Sequence, residues 1–202
     1  MNWGEIQIES LKKMFLNNDE LTVSDLDTYK SDKKYRTYLY AMPQACNEAI
    51  NYILENGKPL IKLHTLKFKS NTNKYNLNQV VPKFKRIYEI VYDGTNKPDY
   101  YIEGNNILVI NNWNPDNGSF TIYYEAYHDL ITTSTSSSTT IDLDRQLVSL
   151  IPLYIAGELY KDDDIQLATV YMNEFTTLVS NISGKDFNPS PREVTTVYSM
   201  EW

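Results

Sequence analysis

The amino-acid sequence predicts an α+β protein: a helical bundle core, made of N-terminal helices and a C-terminal αα-hairpin, with an inserted antiparallel β-domain and an extended C-terminal arm. Three observations predict it. Between Tyr35 and Leu54 apolar residues recur at unbroken three- and four-residue spacing, the helical period. After Gly57 the period changes to two, the spacing of a half-buried strand. From Leu147 to Ile182 the helical period returns in two blocks, separated by Lys161-Asp162-Asp163-Asp164. The boundaries these periods imply are N-terminal helices over 1–57, the β-domain over 58–131, a Ser/Thr-rich loop over 132–141, the helical hairpin over 142–183 and the arm over 184–202.

The first helix is expected over about 5–16, with Ile6, Leu11, Met14 and Phe15 inward and Asn17-Asn18 ending it. Thr22 or Ser24 is placed to cap the next helical segment. The long periodic segment from Tyr35 ends at Asn56-Gly57, and Pro43 inside it predicts a kink or a restart at Met42, because proline removes a backbone donor. Strands are expected over 61–68 and 84–92, with the polar KSNTNKYNLNQ between them as a loop. YYIEGNNILVI reads as a hairpin, since Glu103-Gly104-Asn105-Asn106 supplies residues that tolerate positive φ. NNWNPDNGS is a second turn. The strand after it alternates, with Phe120, Ile122, Tyr124 and Ala126 on one face and Thr121, Tyr123, Glu125 and Tyr127 on the other. Such alternation predicts an antiparallel sheet with one buried face.

TTSTSSSTT, residues 132–140, is too polar for a core and reads as a flexible connection or exposed loop. Asp142 or Asp144 then caps a helix over about 147–160 that is apolar on nearly every side and must be central; Pro152 bends it or marks its first turns. Asp164 caps the next helix, whose stripe is Ala168, Tyr171, Met172, Phe175, Leu178, Val179 and Ile182. Beyond Gly184 the chain is extended and proline-bearing, and it ends in Val197, Tyr198, Met200 and Trp202. A tail of that kind either frays or binds, and its aromatic content favours binding.

At 202 residues the chain suffices for one core of ordinary size or for a helical core with a β-rich insertion. With 42% apolar and 22% charged residues it has the composition of a globular protein. No run of eighteen apolar residues is present, and the acidic, amphipathic N-terminus lacks the apolar centre of a secretory signal, so a cytosolic folding environment is expected. Cys46 is the single cysteine, which agrees with that environment. Seventeen tyrosines against seven glycines point either to surfaces that become contacts in an assembly or to a Tyr-rich sheet. The net charge of −7 is unevenly spread: residues 58–86 hold seven lysines, one arginine and no acid, while the other 173 hold 11 basic and 26 acidic side chains. That asymmetry suggests complementary surfaces that meet a partner, such as another copy of the chain.

Chemistry is sparse. His64 and His128 fall at strand and strand-end positions and read as structural or exposed, and no Cys/His spacing fits zinc. Glycine-rich phosphate loops, a nucleophile elbow and HExxH are absent from the sequence. Asp162 to Asp164 with Glu158 lacks the alternation and glycine of a calcium loop and is explained by a capped helix turn. Cys46 lies on an apolar stripe as a small core residue. Neither a cofactor nor a metal nor a catalytic residue is expected. Lysines interleaved with Phe68, Tyr75 and Phe84 also fit a nucleic-acid-binding module, although meeting an acidic protein surface fits the overall charge better.

The order of elements resembles the head–tail connector, or adaptor, proteins of tailed bacteriophages. The resemblance covers most of the chain: an N-terminal helical part, then KFKRIYEIVYDG, YYIEGNNILVI and FTIYYEAYHD, then IPLYIAGELYKDDDIQLATVYMNEFTTLV. Its most specific part is the C-terminal pair, an apolar helix ending in YIAGEL (154–159), an acidic turn, and a helix carrying Ala168, Tyr171, Phe175 and Leu178. The resemblance implies a non-enzymatic virion protein at the head–tail interface, assembled in the host cytoplasm. It implies a homo-oligomeric ring, commonly of twelve copies, that docks on the portal protein, meets tail or other neck proteins and continues a channel through which DNA passes without sequence recognition. It implies no membrane partner. Phe187, Tyr198 and Trp202 of the arm are then the candidates for contact with other proteins, and Lys67, Lys69, Lys83, Lys85 and Arg86 for a charged interface. The Ser/Thr-rich 132–140 and the long basic segment depart from the family's pattern.

Overall fold

A computed structural model describes residues 1–15, 21–92, 99–111 and 118–186, with side chains to 182. The protein is a mixed α+β fold with two small antiparallel sheets. Helix α1, Trp3–Met14, starts two residues before its expected position because Asn2 and Glu5 form a capping box. The Glu5 N–H donates to Asn2 Oδ1 at 2.9 Å and the Asn2 N–H to Glu5 Oε2 at 2.8 Å. Ile6, Leu11 and Met14 are buried as expected, and so is Trp3. Thr22 does not cap a helix through its side chain; its hydroxyl bonds the Asp25 carboxylate at 2.6 Å, ahead of the short α2, Leu26–Ser31.

Helix α3, Lys33–Asn56, is capped by Asp32, whose Oδ1 accepts from the Lys34 N–H. It continues through Pro43 and does not restart at Met42. Only one donor is missing there, and Leu39, Met42, Pro43 and Cys46 are all buried, so packing holds the helix together.

The segment expected as one helix over 147–160 is instead two, α5 at Arg145–Val148 and α6 at Ile151–Leu159. Pro152 in the first turn of α6 has no N–H to continue the ladder from α5, so it marks a start. Asp144 precedes α5 without capping it through its side chain, and Asp142 is drawn to Lys62. Helix α7, Ile165–Asp186, is capped as expected: Asp164 Oδ1 accepts from the Gln166 and Leu167 N–H groups at 3.1 and 3.0 Å. Helices α6 and α7 pack closely where Gly157 faces Ala168 and Met172. A Cβ at Gly157 would stand 3.2 Å from the Ala168 carbonyl oxygen, so the glycine permits the crossing.

Helices α1, α3, α6 and α7, together with Ile131 and Ile141, enclose one hydrophobic cluster that includes Ile50, Ile155, Phe175 and Val179. The tyrosine excess has a third cause besides surfaces and sheets. Tyr35, Tyr38 and Tyr160 gather edge-on around Phe15, with ring centroids 5.1, 5.3 and 6.1 Å away, where α1, α3 and α6 meet.

The strands enclose a second cluster, formed by Phe68, Tyr75, Leu77, Phe84, Ile90, Leu108, Phe120 and their neighbours. One sheet has the order β1-β6-β3, from Ile61–Lys67, Ser119–Ala126 and Phe84–Tyr92. The other has the order β2-β5-β4, from Lys74–Asn76, Ile107–Ile110 and Tyr100–Glu103. Two sheets therefore stand where a single one was expected. The segment expected as a loop, 69–79, supplies both β2 and the start of the helical turn α4, Leu77–Val80. It is polar by composition, yet Tyr75 and Leu77 are buried, and pairing of Lys74, Tyr75 and Asn76 with Val109, Leu108 and Ile107 defines the strand. The β4–β5 hairpin turns as expected through positive φ at Gly104 and Asn106. On β6, Phe120, Ile122, Tyr124 and Ala126 are buried, and Tyr127 beyond it is exposed.

Residues 132–140 are an exposed loop, one of the two expected alternatives, and they are tied to α1 rather than loose. The Thr139 and Ser137 carbonyls accept from the Trp3 and Gly4 N–H groups at 2.8 Å each, and Asn2 bridges Thr140. The orphan donors at the start of α1 are thus met by this strap, whose hydroxyls bond one another within it, as Thr132 does with Ser134 and Ser136 with Ser138.

Candidate interaction surface

Six of the eight cations in residues 58–86 reach carboxylates of the same chain. Lys58 pairs with Asp144 at 3.4 Å, Lys62 with Asp142 at 2.6 Å and Lys74 with Glu103 at 2.7 Å. Lys83, in the left-handed region, pairs with Asp129. Arg86 and Lys85 converge on Glu125 at 2.5 and 3.9 Å. The charge asymmetry of the sequence suggests a complement on another molecule, whereas these acids lie on the turns and strands folded beside the segment. They are legible in the sequence as residues but not as neighbours.

Glu125 is only 6% exposed, although strand alternation places it on the outer face. It lines a cleft between the sheet and the end of α3, with Leu54, Glu55, Pro59 and Lys85. Two cations compensate its burial. The pairs shift protonation in the expected senses: Lys83 holds the Asp129 carboxyl below its ordinary value, and Asp142 raises Lys62.

Lys67 and Lys69 differ, because neither has a carboxylate partner among the described residues. Lys67 ends β1 and is exposed; Lys69 lies just beyond, its ammonium over the Tyr75 ring at 5.7 Å. The arm candidates Phe187, Tyr198 and Trp202 lie outside the described residues.

Among the described residues, the strand that leads to Lys67 has an open side. Residues of β1 pair with β6 in one unbroken register, Ile61 with Glu125 through Lys67 with Ser119. The Ala126 N–H donates to the Leu60 carbonyl and the Phe68 N–H to the Gly118 carbonyl, so even-numbered residues point their backbone groups at β6. Ile61, Leu63, Thr65 and Lys67 therefore point theirs outward. Leu63 is 62% exposed.

Among the described residues no group of three or more His, Cys, Asp or Glu is arranged to hold a metal. His64 sits mid-strand opposite Ile122, and His128 bonds the Asp129 carbonyl, so the two serve separate local structures. Burial pushes the Cys46 thiol up to about 12, so it stays protonated within the core. No helix among the described residues is long and apolar enough to cross a membrane.

Neither a protein-family model nor a curated protein matches the chain. What the surface offers is contact: an open strand edge, two cations beside it, and exposed Tyr40, Tyr101, Tyr127 and Leu130 elsewhere.

Proposed function

We propose that the protein is a non-enzymatic structural component of a tailed-phage virion, a head–tail connector subunit. In this reading the helices form a bundle core that carries the strands as an inserted β-domain, and residues 184–202 form an extended arm to other proteins. About twelve copies close into a ring on the portal protein, meet tail or other neck proteins, and continue the channel for DNA. The observation that carries the reading is the place of the α6–α7 hairpin. The most specific part of the resemblance lies there, and its Ile155, Phe175 and Val179 share one hydrophobic cluster with Ile6, Leu11 and Ile50 of the N-terminal helices. The described chemistry also favours contact over catalysis, since its charged groups form ion pairs dispersed over the surface.

The mass in solution, alone and with the portal protein, tests this proposal. A ring-sized species, or a monomer that assembles on the portal, is expected. Truncation after Gly184 is expected to weaken assembly and leave the melting transition in place. A monomer indifferent to the portal would overturn the proposal. Tight DNA binding that falls steeply with salt would replace it with the nucleic-acid reading of residues 58–86.

A further inference from the structure

We infer that the open edge of β1 receives residues 193–199 of a neighbouring copy as an added antiparallel strand. The inference rests on the proposal that copies of this chain assemble. The four strand edges are not equivalent. Strand β3 carries two register shifts, the irregularities that discourage edge pairing, and β2 and β4 are three and four residues long. Strand β1 has seven residues, no register shift, and outward backbone groups at Ile61, Leu63, Thr65 and Lys67 with no hydrogen-bond partner among the described residues.

The tail has the composition to fill it. Glu193-Val194-Thr195-Thr196-Val197-Tyr198-Ser199 is rich in β-branched and aromatic residues and lies beyond the last proline, Pro191. One antiparallel register matches side chain to side chain. With Glu193 opposite Lys67, Thr195 falls opposite Thr65, Val197 opposite the exposed Leu63, and Ser199 opposite Ile61. On the other face Val194 falls beside Leu66 and Tyr198 beside Lys62. The carboxylate meets the cation of β1 that has no carboxylate partner among the described residues. A parallel strand starting at Ile61 would set Ser199 at Lys67 and lose that pair.

The direction also selects a neighbour over the chain's own tail. Helix α7 runs alongside α3: Tyr38 bonds Asp163, Tyr52 meets Phe175, and Val179 lies where a Cβ of Gly57 would stand, 3.2 Å away. Val179 of α7 therefore lies at Gly57, four residues ahead of the Ile61 end of β1, whereas the charge-matched strand enters at Lys67. The six residues 187–192 extend at most about 20 Å, roughly the length of β1 itself. A copy delivering its tail from the adjoining position avoids that stretch, and the contact is head-to-tail, the type that closes into a ring.

Residue-resolved hydrogen exchange and light scattering on the full chain test the inference. In the assembled protein the amides of Ile61, Leu63, Thr65 and Lys67 are expected to exchange at least ~10-fold more slowly than in the dilute, dissociated chain, while those of Lys62, His64 and Leu66 stay protected in both. Glu193→Lys is expected to weaken assembly, as is Lys67→Glu, and the two together to restore it. Assembly that leaves the odd-numbered amides unchanged, or that ignores both charge reversals, overturns the inference and spares the connector reading. Protected odd-numbered amides in a concentration-independent monomer would place the tail on its own β1 and overturn it too. A chain that stays monomeric and unprotected with the portal present sinks both.

Discussion

At Asn47 a single side chain ties helix α3 to the segment that follows β6. Its Nδ2 donates to the Ile131 carbonyl at 2.8 Å and its Oδ1 accepts from the Ile131 N–H at 2.9 Å, across 84 positions of sequence. Both backbone groups are partly shielded, so Asn47→Ala would leave a donor and an acceptor unmet and is expected to cost about 1–3 kcal/mol by urea unfolding. Asn47→Asp keeps the acceptor alone and should fall between. Tyr38 shows the same dependence on distant partners. Burial, and then its hydrogen bond to Asp163, raise its hydroxyl from 10.0 to about 12. The folded state thus holds this proton more tightly than the unfolded state does. The stability so gained is full below pH 10 and is lost between pH 10 and 12. Melting temperatures of Tyr38→Phe should fall less steeply than those of the wild type over that window. Neither residue is legible as a linker in the sequence, because Asn47 looks like any polar residue on a helix and Asp163 like any acid in a turn.

At the scale of elements, long periodic segments are readable and short ones are not. The stripe of α7 carries its own 3.6-residue repeat and an aspartate cap, both local signals. Strand β2 has three residues and no period of its own; it exists because β5 offers Leu108 opposite Tyr75. The polar strap over 132–140 is the exposed loop of the two expected alternatives, and its tie to α1 was not legible for a related reason. Its composition excludes burial but says nothing about which backbone donors it meets, and those are the first N–H groups of α1. Close contact at Gly4 seals that arrangement: an added Cβ would lie 2.8 Å from Val23 Cγ1 and 3.0 Å from Ser137 Cβ. Gly4→Ala is accordingly expected to destabilise by about 1–3 kcal/mol, and to expose the strap to limited proteolysis before the rest of the fold. Proteolysis of this variant that spares residues 132–140 would argue that the strap holds without α1.

Across the whole molecule the two hydrophobic clusters divide where the period changes, after Gly57 and again beyond the last strand, one built from helices and one from strands. The α+β class and most of the core are therefore legible: Leu39, Ile50, Phe120, Ile122, Phe175 and Val179 are all buried, and each sits at a position its periodicity assigns to the inner face. The distribution of charge is legible only as a total. Residues 58–86 are strongly basic, but folding brings Asp129, Asp142 and Asp144 back beside Lys83, Lys62 and Lys58. By itself, then, the sequence determined the secondary-structure class, the buried faces and the helix caps at Asp164 and Gly57, because these depend on interactions within a few residues. Only the tertiary structure decided that the strands form two sheets, that Glu125 is buried, and that β1 has one edge unpaired among the described residues, with Lys67 at its end. Those features depend on which distant segments become neighbours, and no local period encodes that choice.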